Sequence, residues 1–185
     1  MRAFVGCFPP PTIQRAYADA AVAWAPASGA RIIDAPNIHL TLAFLGEQPP
    51  ELVDELQGAL DVHVGSLAAF EVHAGGVTGF PSAARARVGV VELVGAPLTS
   101  LARAVADAVR AVGIEPEDRQ FRPHATVVRS RLAFRVPAVQ APAEAWPIDE
   151  VCIVESHLGP EGARYEILGR VGLGRSAGSA GSARP

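Results

Sequence analysis

Asn37-Ile38-His39-Leu40-Thr41-Leu42 and Arg122-Pro123-His124-Ala125-Thr126-Val127 repeat one pattern, His-x-Thr followed by an apolar residue, in the two halves of the chain. A strand alternates its side chains between faces. His39 and Thr41 therefore project from one side, and Leu40 and Leu42 from the other. His124 and Thr126 do the same, backed by Ala125 and Val127. Each stretch offers an imidazole beside a hydroxyl on an open face whose reverse is core. One His-x-Thr alone is a weak signal, because a lone strand histidine is more often structural. Two copies in matching places reverse that reading. They point to an internal duplication: two α+β lobes, each giving one strand to a shared cleft.

The flanking sequence fills out the lobes. Arg2 to Phe8 predicts a first strand, ended by Pro9-Pro10-Pro11. Thr12 is placed to cap a helix running to about Trp24. Pro26 to Gly29 is a loop, and Ile38 to Leu45 a strand ended by Gly46. Pro49-Pro50-Glu51 opens a second helix with Leu52, Leu56 and Leu60 on one face. Phe70 to Phe80 and Arg87 to Leu93 predict paired strands. Pro97 opens a third helix, with Leu98, Leu101, Val105, Ala108 and Val112 on one face and Gly113 as its stop. His124 to Val128 is a strand, and Val151 to Glu155 with Tyr165 to Val171 a closing hairpin. Residues 1–173 are thus expected to form one two-lobed domain. Gly174 to Pro185 contain only Gly, Ser, Ala, Arg and Pro, and are expected to be a disordered tail.

Composition narrows the chemistry. The 185 residues are 49% apolar and 19% charged, which suits a packed globular chain. No apolar run reaches the roughly 18 residues of a membrane span. The N-terminus is broken by prolines too early for a signal peptide, so a cytoplasmic protein is expected. The net charge of −3 offers no general basic field. RNA, if bound, is bound locally, at an end. All sixteen basic residues are arginines. The missing lysine excludes a lysyl adduct and a P-loop. Cys7 and Cys152 lie in apolar strand-like runs and read as buried free thiols.

Two imidazoles on converging strands suit phosphodiester hydrolysis. Near neutral pH one can be neutral and the other protonated. A base takes a proton from water, an acid protonates the leaving oxygen, and donors hold the phosphoryl oxygens. His63, at a helix end, and His73, in a strand without a partner, read as structural or surface residues. His157 precedes a turn and is less clear. No two histidines have helical metal spacing and no acidic cluster joins them, so no metal site and no cofactor are expected.

The stretch from Asn37 to Glu47, together with Phe121-Arg122-Pro123-His124-Ala125-Thr126-Val127-Val128-Arg129, resembles the two-histidine (2H) phosphoesterase superfamily. It is most similar to the bacterial RNA 2′,3′-cyclic phosphodiesterase branch, historically called 2′-5′ RNA ligase. Arg2 to Gly6 and the segment from Glu155 through Tyr165 share the likeness. The resemblance implies a bilobal fold of antiparallel sheet plus helices with a V-shaped cleft. It implies opening of a 2′,3′-cyclic phosphate at an RNA end to a 2′-phosphomonoester. His39 would be the proton donor and His124 the proton acceptor. Thr41 and Thr126 would bind phosphoryl oxygens, and Arg129 would add a cationic contact. Arg129 stands an odd number of residues after His124, so a flat strand would turn it into the core. It can face the phosphate only if the strand twists strongly or ends near Val128. Phe44, at the same offset after His39, either lines the cleft or packs, and packing is the role expected. The second motif has Ala125 where bulkier aliphatics are usual, a change on the rear face.

Other readings share these residues. The substrate could be a small cyclic or 2′-5′-linked nucleotide. The fold could serve as a non-catalytic module for RNA ends, although binding alone does not need two titratable groups. Reversible ATP-independent 2′-5′ ligation also stays open. No protein partner and no membrane are implied, and a monomer is expected.

Overall fold

The computed structural model describes residues 1–26, 29–117, 119–159 and 162–174. The expected tail lies, apart from Gly174, outside the described residues. The chain runs through β1 (Arg2–Cys7), α1 (Pro11–Val22), β2 (Ala30–Ile32), β3 (Leu40–Glu47), α2 (Leu52–Val64), β4 (Phe70–Phe80) and β5 (Ala86–Val94). It continues through α3 (Leu98–Ala111), β6 (His124–Phe134), β7 (Ala145–Ile148), β8 (Glu150–Gly159) and β9 (Gly162–Gly172).

The strands form an antiparallel sheet in the order β7-β4-β5-β6-β3-β1-β8-β9, with β2 added to β6. The motif strands β3 and β6 are the inner neighbours of two four-stranded halves. They meet through a single residue pair, Leu40 with Ala125. Beyond it the free edge of β6 is taken over by β2, which pairs with Val128, Arg129 and Ser130. The curled sheet therefore opens into a cleft at the point where the two motifs touch. Mixed helix and strand around a curled antiparallel sheet is the expected fold class.

Helices cover the rear. α3 and α2 pack on each other, α3 also on β3 and α2 on β9, while α1 lies behind β6. The leucine and valine stripe that predicted α3 is buried: Leu98, Leu101, Val105 and Ala108 all enter the core. Leu40 and Ala125, the joining pair, are fully buried beneath the cleft.

Several local expectations are corrected. α1 starts at Pro11 without a side-chain cap, so Thr12 is inside the helix. A proline there has no N–H to satisfy and its φ is already helical. β3 starts at Leu40, because Ala35–Asn37 forms a 3-10 turn, and it continues through Gly46 at φ 71°. β6 runs on to Phe134 instead of ending at Val128, because β2 and β5 supply partners along it. The short strands β2 and β7 carried no legible pattern. β7 is an edge strand, the one place where its Pro147 costs no sheet hydrogen bond.

Candidate active site

The single pair Leu40–Ala125 sets the geometry of the centre. One step along the antiparallel register places His39 beside Thr126, and Thr41 beside His124. All four side chains leave the face opposite to the buried Leu40 and Ala125, and all four are half-buried. The two His-x-Thr stretches are thus brought together on one cleft floor.

Both imidazoles are held alike. His39 Nδ1 lies 2.7 Å from the Asn37 carbonyl, and His124 Nδ1 lies 2.6 Å from the Arg122 carbonyl. A carbonyl only accepts, so each ring donates Nδ1–H and turns Nε2 to the cleft. The Thr41 hydroxyl lies 3.0 Å from His39 Nε2 and donates to it while that ring is neutral. The residue two before each histidine is therefore part of the site through its backbone. Nothing in a side-chain pattern signals such a role. Asn37 does more: its amide donates to the Ala163 carbonyl at 2.8 Å, tying the β8–β9 hairpin to the strand entrance.

The surroundings of the two rings differ. His39 stacks on Phe4 at 4.7 Å between centroids, with Tyr165 edge-on at 4.9 Å and Phe8 at 5.5 Å. His124 meets the edge of one aromatic ring among the described residues, Phe80 at 5.0 Å, and Arg122 lies over that same ring. Burial pushes the His39 imidazole down to about 4, helped by the charges of Arg129 and His124 and opposed by the Asn37 carbonyl. Burial also lowers His124, with Arg122 and Arg129 adding to it and the Arg122 carbonyl opposing. Both rings are therefore neutral at neutral pH with the cleft free of anions.

Arg129 is on the cleft face, and the reason is a bulge. β5 pairs Val90 with Thr126 and Gly89 with Val128, so Val127 is an extra residue in β6. Val127 and Val128 are both fully buried, the alternation slips by one, and Arg129 emerges on the histidine side. The strand neither ends at Val128 nor needs unusual twist. β3 repeats the device. Gly6 pairs with Thr41 and Val5 with Ala43, leaving Leu42 extra. Phe44 is turned out in the same way and is 51% exposed, so the expectation that it packs is corrected. Its ring lies 6.4 Å from that of Phe4. The two motif strands thus carry matching bulges, which add Phe44 on one side and Arg129 on the other. β1 follows β3 closely: a Cβ on Gly6 would stand 2.5 Å from the Leu40 carbonyl, so only glycine fits under the first motif.

The other candidates lie elsewhere. His63 ends α2 and His73 sits in β4, both outside the two motif strands. His157 lies in β8 with Glu166 at 3.4 Å and Glu155 at 3.7 Å. This corrects the reading that no acidic cluster joins the histidines: the hairpin register, not sequence spacing, brings Glu155 and Glu166 to His157. Tyr165 pairs with Ser156 and points at His39, so Glu155, His157 and Glu166 project from the reverse face, away from the cleft. Cys7 and Cys152 are buried free thiols, as read from their surroundings in sequence. Among the described residues, no helix is long and apolar enough to cross a membrane.

Comparison with known proteins agrees with this architecture. The model of the 2′-5′ RNA ligase superfamily matches residues 9–160. A curated protein of Thermus thermophilus, named RNA 2′,3′-cyclic phosphodiesterase, is 33% identical over 182 residues, covering 94% of this chain and 90% of that protein. The crystal structure of TT0787 from the same organism superposes with a TM-score of 0.84 at 29% identity, over 94% of this chain and 98% of that one. Escherichia coli LigT, crystallised with 3′-AMP, matches at a TM-score of 0.77 and 25% identity, over 94% and 98% of the two chains. A chain with two inward-facing His-x-Thr strands, matched along most of its length in sequence and in fold, belongs to the 2′-5′ RNA ligase superfamily of two-histidine phosphoesterases.

Proposed function

We propose that this protein is an RNA 2′,3′-cyclic phosphodiesterase, hydrolysing the cyclic phosphate at an RNA end to a 2′-phosphomonoester. Supporting this reading is the pair of like-held imidazoles, each offering Nε2 to one cleft. Water attacks phosphorus as His124 Nε2 takes its proton. The bond from phosphorus to the 3′ oxygen breaks, and His39 Nε2–H protonates that oxygen, leaving a free 3′-hydroxyl. Thr41 and Thr126 donate to the phosphoryl oxygens, and Arg129 balances their charge. Assignment of the acid to His39 rests on the family resemblance, since the pseudo-symmetric strands do not distinguish the roles. The histidines, threonines and Arg129 need neither metal nor cofactor for this step. Turnover of a cyclic-phosphate-ended oligonucleotide should therefore persist in excess chelator. Activity lost on chelation and restored by a divalent ion would contradict the all-protein mechanism.

The electrostatics add a condition. An imidazole lowered to about 4 carries no proton to give at pH 7, so the acid must be charged as the substrate binds. The phosphate anion supplies the opposite charge that burial denies. His39 should then titrate near pH 4 in the free protein and move upward when a 2′-phosphomonoester fills the cleft. Nuclear magnetic resonance of the ring protons measures both values. A His39 titration near the ordinary 6.5 and indifferent to the ligand would reject this loading step. The same shift has a stability consequence. The unfolded chain takes up this proton first, so the contribution of neutral His39 is complete above pH 6.5 and is lost as pH falls through about 4.

A further inference from the structure

We propose that Arg131 and Arg31 continue the site beyond Arg129 as a track for the phosphodiester chain upstream of the reacting end. The inference rests on the active-site reading above and narrows its substrate class to oligonucleotide ends over free cyclic nucleotides.

After the bulge at Val127, the β2 ladder keeps β6 regular from Val128 through Ser130, and the Arg131 N–H donates to the Gly29 carbonyl at the next step; β6 slips again against β5 only beyond Arg129, where five of its residues span two of β5. Val128 is fully buried on the rear, so within this regular stretch Ser130 shares its side. Arg129 and Arg131 therefore project together toward the cleft side. β2 pairs Arg31 directly opposite Arg129, and cross-strand partners share a face. Three guanidinium groups thus form one stripe leading away from His124 and Thr126.

The stripe is under-neutralised. Like charges directly opposite each other destabilise a sheet pair, yet Arg31 faces Arg129. Arg31 is relieved by Asp34 at 3.2 Å, while Arg129 and Arg131 have no carboxylate within ion-pair distance among the described residues. The chain as a whole carries a net charge of −3, so this is a local concentration and not part of a basic surface. Arg31 is also pre-positioned. Any Cβ on Gly162 would collide with its guanidinium, so the hairpin tip presses on it, yet its side chain stays 43% exposed. Residues two apart on a strand are about 6.6 Å apart, comparable with the phosphate repeat of an extended nucleotide chain. The guanidinium fork suits phosphate oxygens. Across the cleft the wall is aromatic, with Phe4, Phe44 and Tyr165 around His39, so bases have one side and the backbone the other.

The test compares a short oligonucleotide ending in a 2′,3′-cyclic phosphate with a 2′,3′-cyclic mononucleotide. The full chain is used as wild type, Arg131→Gln, Arg131→Glu and Arg31→Gln/Arg131→Gln. The oligonucleotide-to-mononucleotide ratio of kcat/KM should fall about tenfold per arginine removed. The salt dependence for the oligonucleotide should become shallower by about 0.7 in log–log slope per arginine. A parallel arm measures equilibrium binding of a 2′-phosphate-ended oligonucleotide, which needs no turnover, and should weaken by the same factor. Arg131 is exposed and outside the core, so Arg131→Glu keeps the test open if Arg31→Gln disturbs the hairpin. Folded Arg131→Glu with wild-type substrate ratio, salt slope and affinity would overturn the track. Absence of turnover on both cyclic substrates would instead overturn the proposed hydrolysis, and the binding arm would still decide the track.

Discussion

Alanine at His124 or at His39 is expected to lower kcat by on the order of 10²–10⁴ while the protein stays folded. Each ring stands on the open face of a strand, and the core beneath is made by Leu40 and Ala125 instead. Thermal unfolding of the His124→Ala variant should therefore stay close to wild type. His39→Ala gives up more packing, because Phe4, Phe8 and Tyr165 surround that ring. The double variant should lose less than the product of the two factors, because the pair acts as one unit. The pH dependence separates the roles. A base must be neutral and an acid protonated, so kcat/KM should be bell-shaped. Both rings are lowered in the free protein, so the bell should lie on the acid side of the ordinary imidazole value of 6.5. The kcat profile should lie at higher pH, since bound phosphate raises the rings. Loss of His124 should abolish the acidic limb, and loss of His39 the basic limb. Steady-state kinetics across pH on folded variants measures all of this. Exchanged limbs would swap acid and base without touching the wider mechanism. Near-wild-type turnover by a folded single variant would remove that histidine from the chemistry.

Arg129→Ala should cost about 1.5–3 kcal/mol of transition-state stabilisation, a loss of roughly 10- to 150-fold in kcat/KM. The guanidinium has no proton to exchange, so its loss should appear mainly in KM. A second effect is independent of the substrate. Burial depresses both histidines and raises the Tyr165 phenol; the charge of Arg129 adds to the first effect and partly offsets the second. Removing it should raise the histidine titrations in the free protein, visible by nuclear magnetic resonance without any turnover. Arg129→Lys should restore the titrations more fully than the kinetics, because a lysine supplies charge but not the planar fork. Unchanged kinetics and unchanged titrations together would make Arg129 an ordinary surface residue.

What was legible in the sequence, and what was not, follows from the kind of rule each feature obeys. The helices α2 and α3 carry apolar residues at helical spacing and were readable almost to the residue. The paired His-x-Thr motifs obey the two-residue period of a strand, and that period holds from His39 to Thr41 and from His124 to Thr126. It fails one step later. A bulge adds a residue that counting does not see, and every position after it changes face. Counting alone therefore turns Arg129 and Phe44 inward, when both face the cleft. The one trace in the sequence is a run of adjacent apolar residues, Leu42-Ala43 and Val127-Val128, inside otherwise alternating strands. β2 and β7 had no such trace, because a strand of three or four residues is defined by its partner and not by its own pattern. The aromatic wall around His39 was equally hidden. Phe4, Phe8 and Tyr165 come from opposite ends of the chain and meet only because β1 lies between β3 and β8. The carbonyl partners at Asn37 and Arg122 could not have been read at all, since any residue supplies a carbonyl.

The proposed hydrolysis is ring opening of a cyclic phosphate toward the 2′ side by two imidazoles. Phosphorus nuclear magnetic resonance of a cyclic-phosphate-ended oligonucleotide incubated with the protein tests it most directly, because the spectrum identifies both the loss of the ring and the oxygen that keeps the phosphate. The expected outcome is replacement of the cyclic signal by a single 2′-phosphomonoester signal, absent with the folded His39→Ala/His124→Ala protein. A cyclic signal that persists with wild type, or a 3′-phosphomonoester as the product, would contradict it.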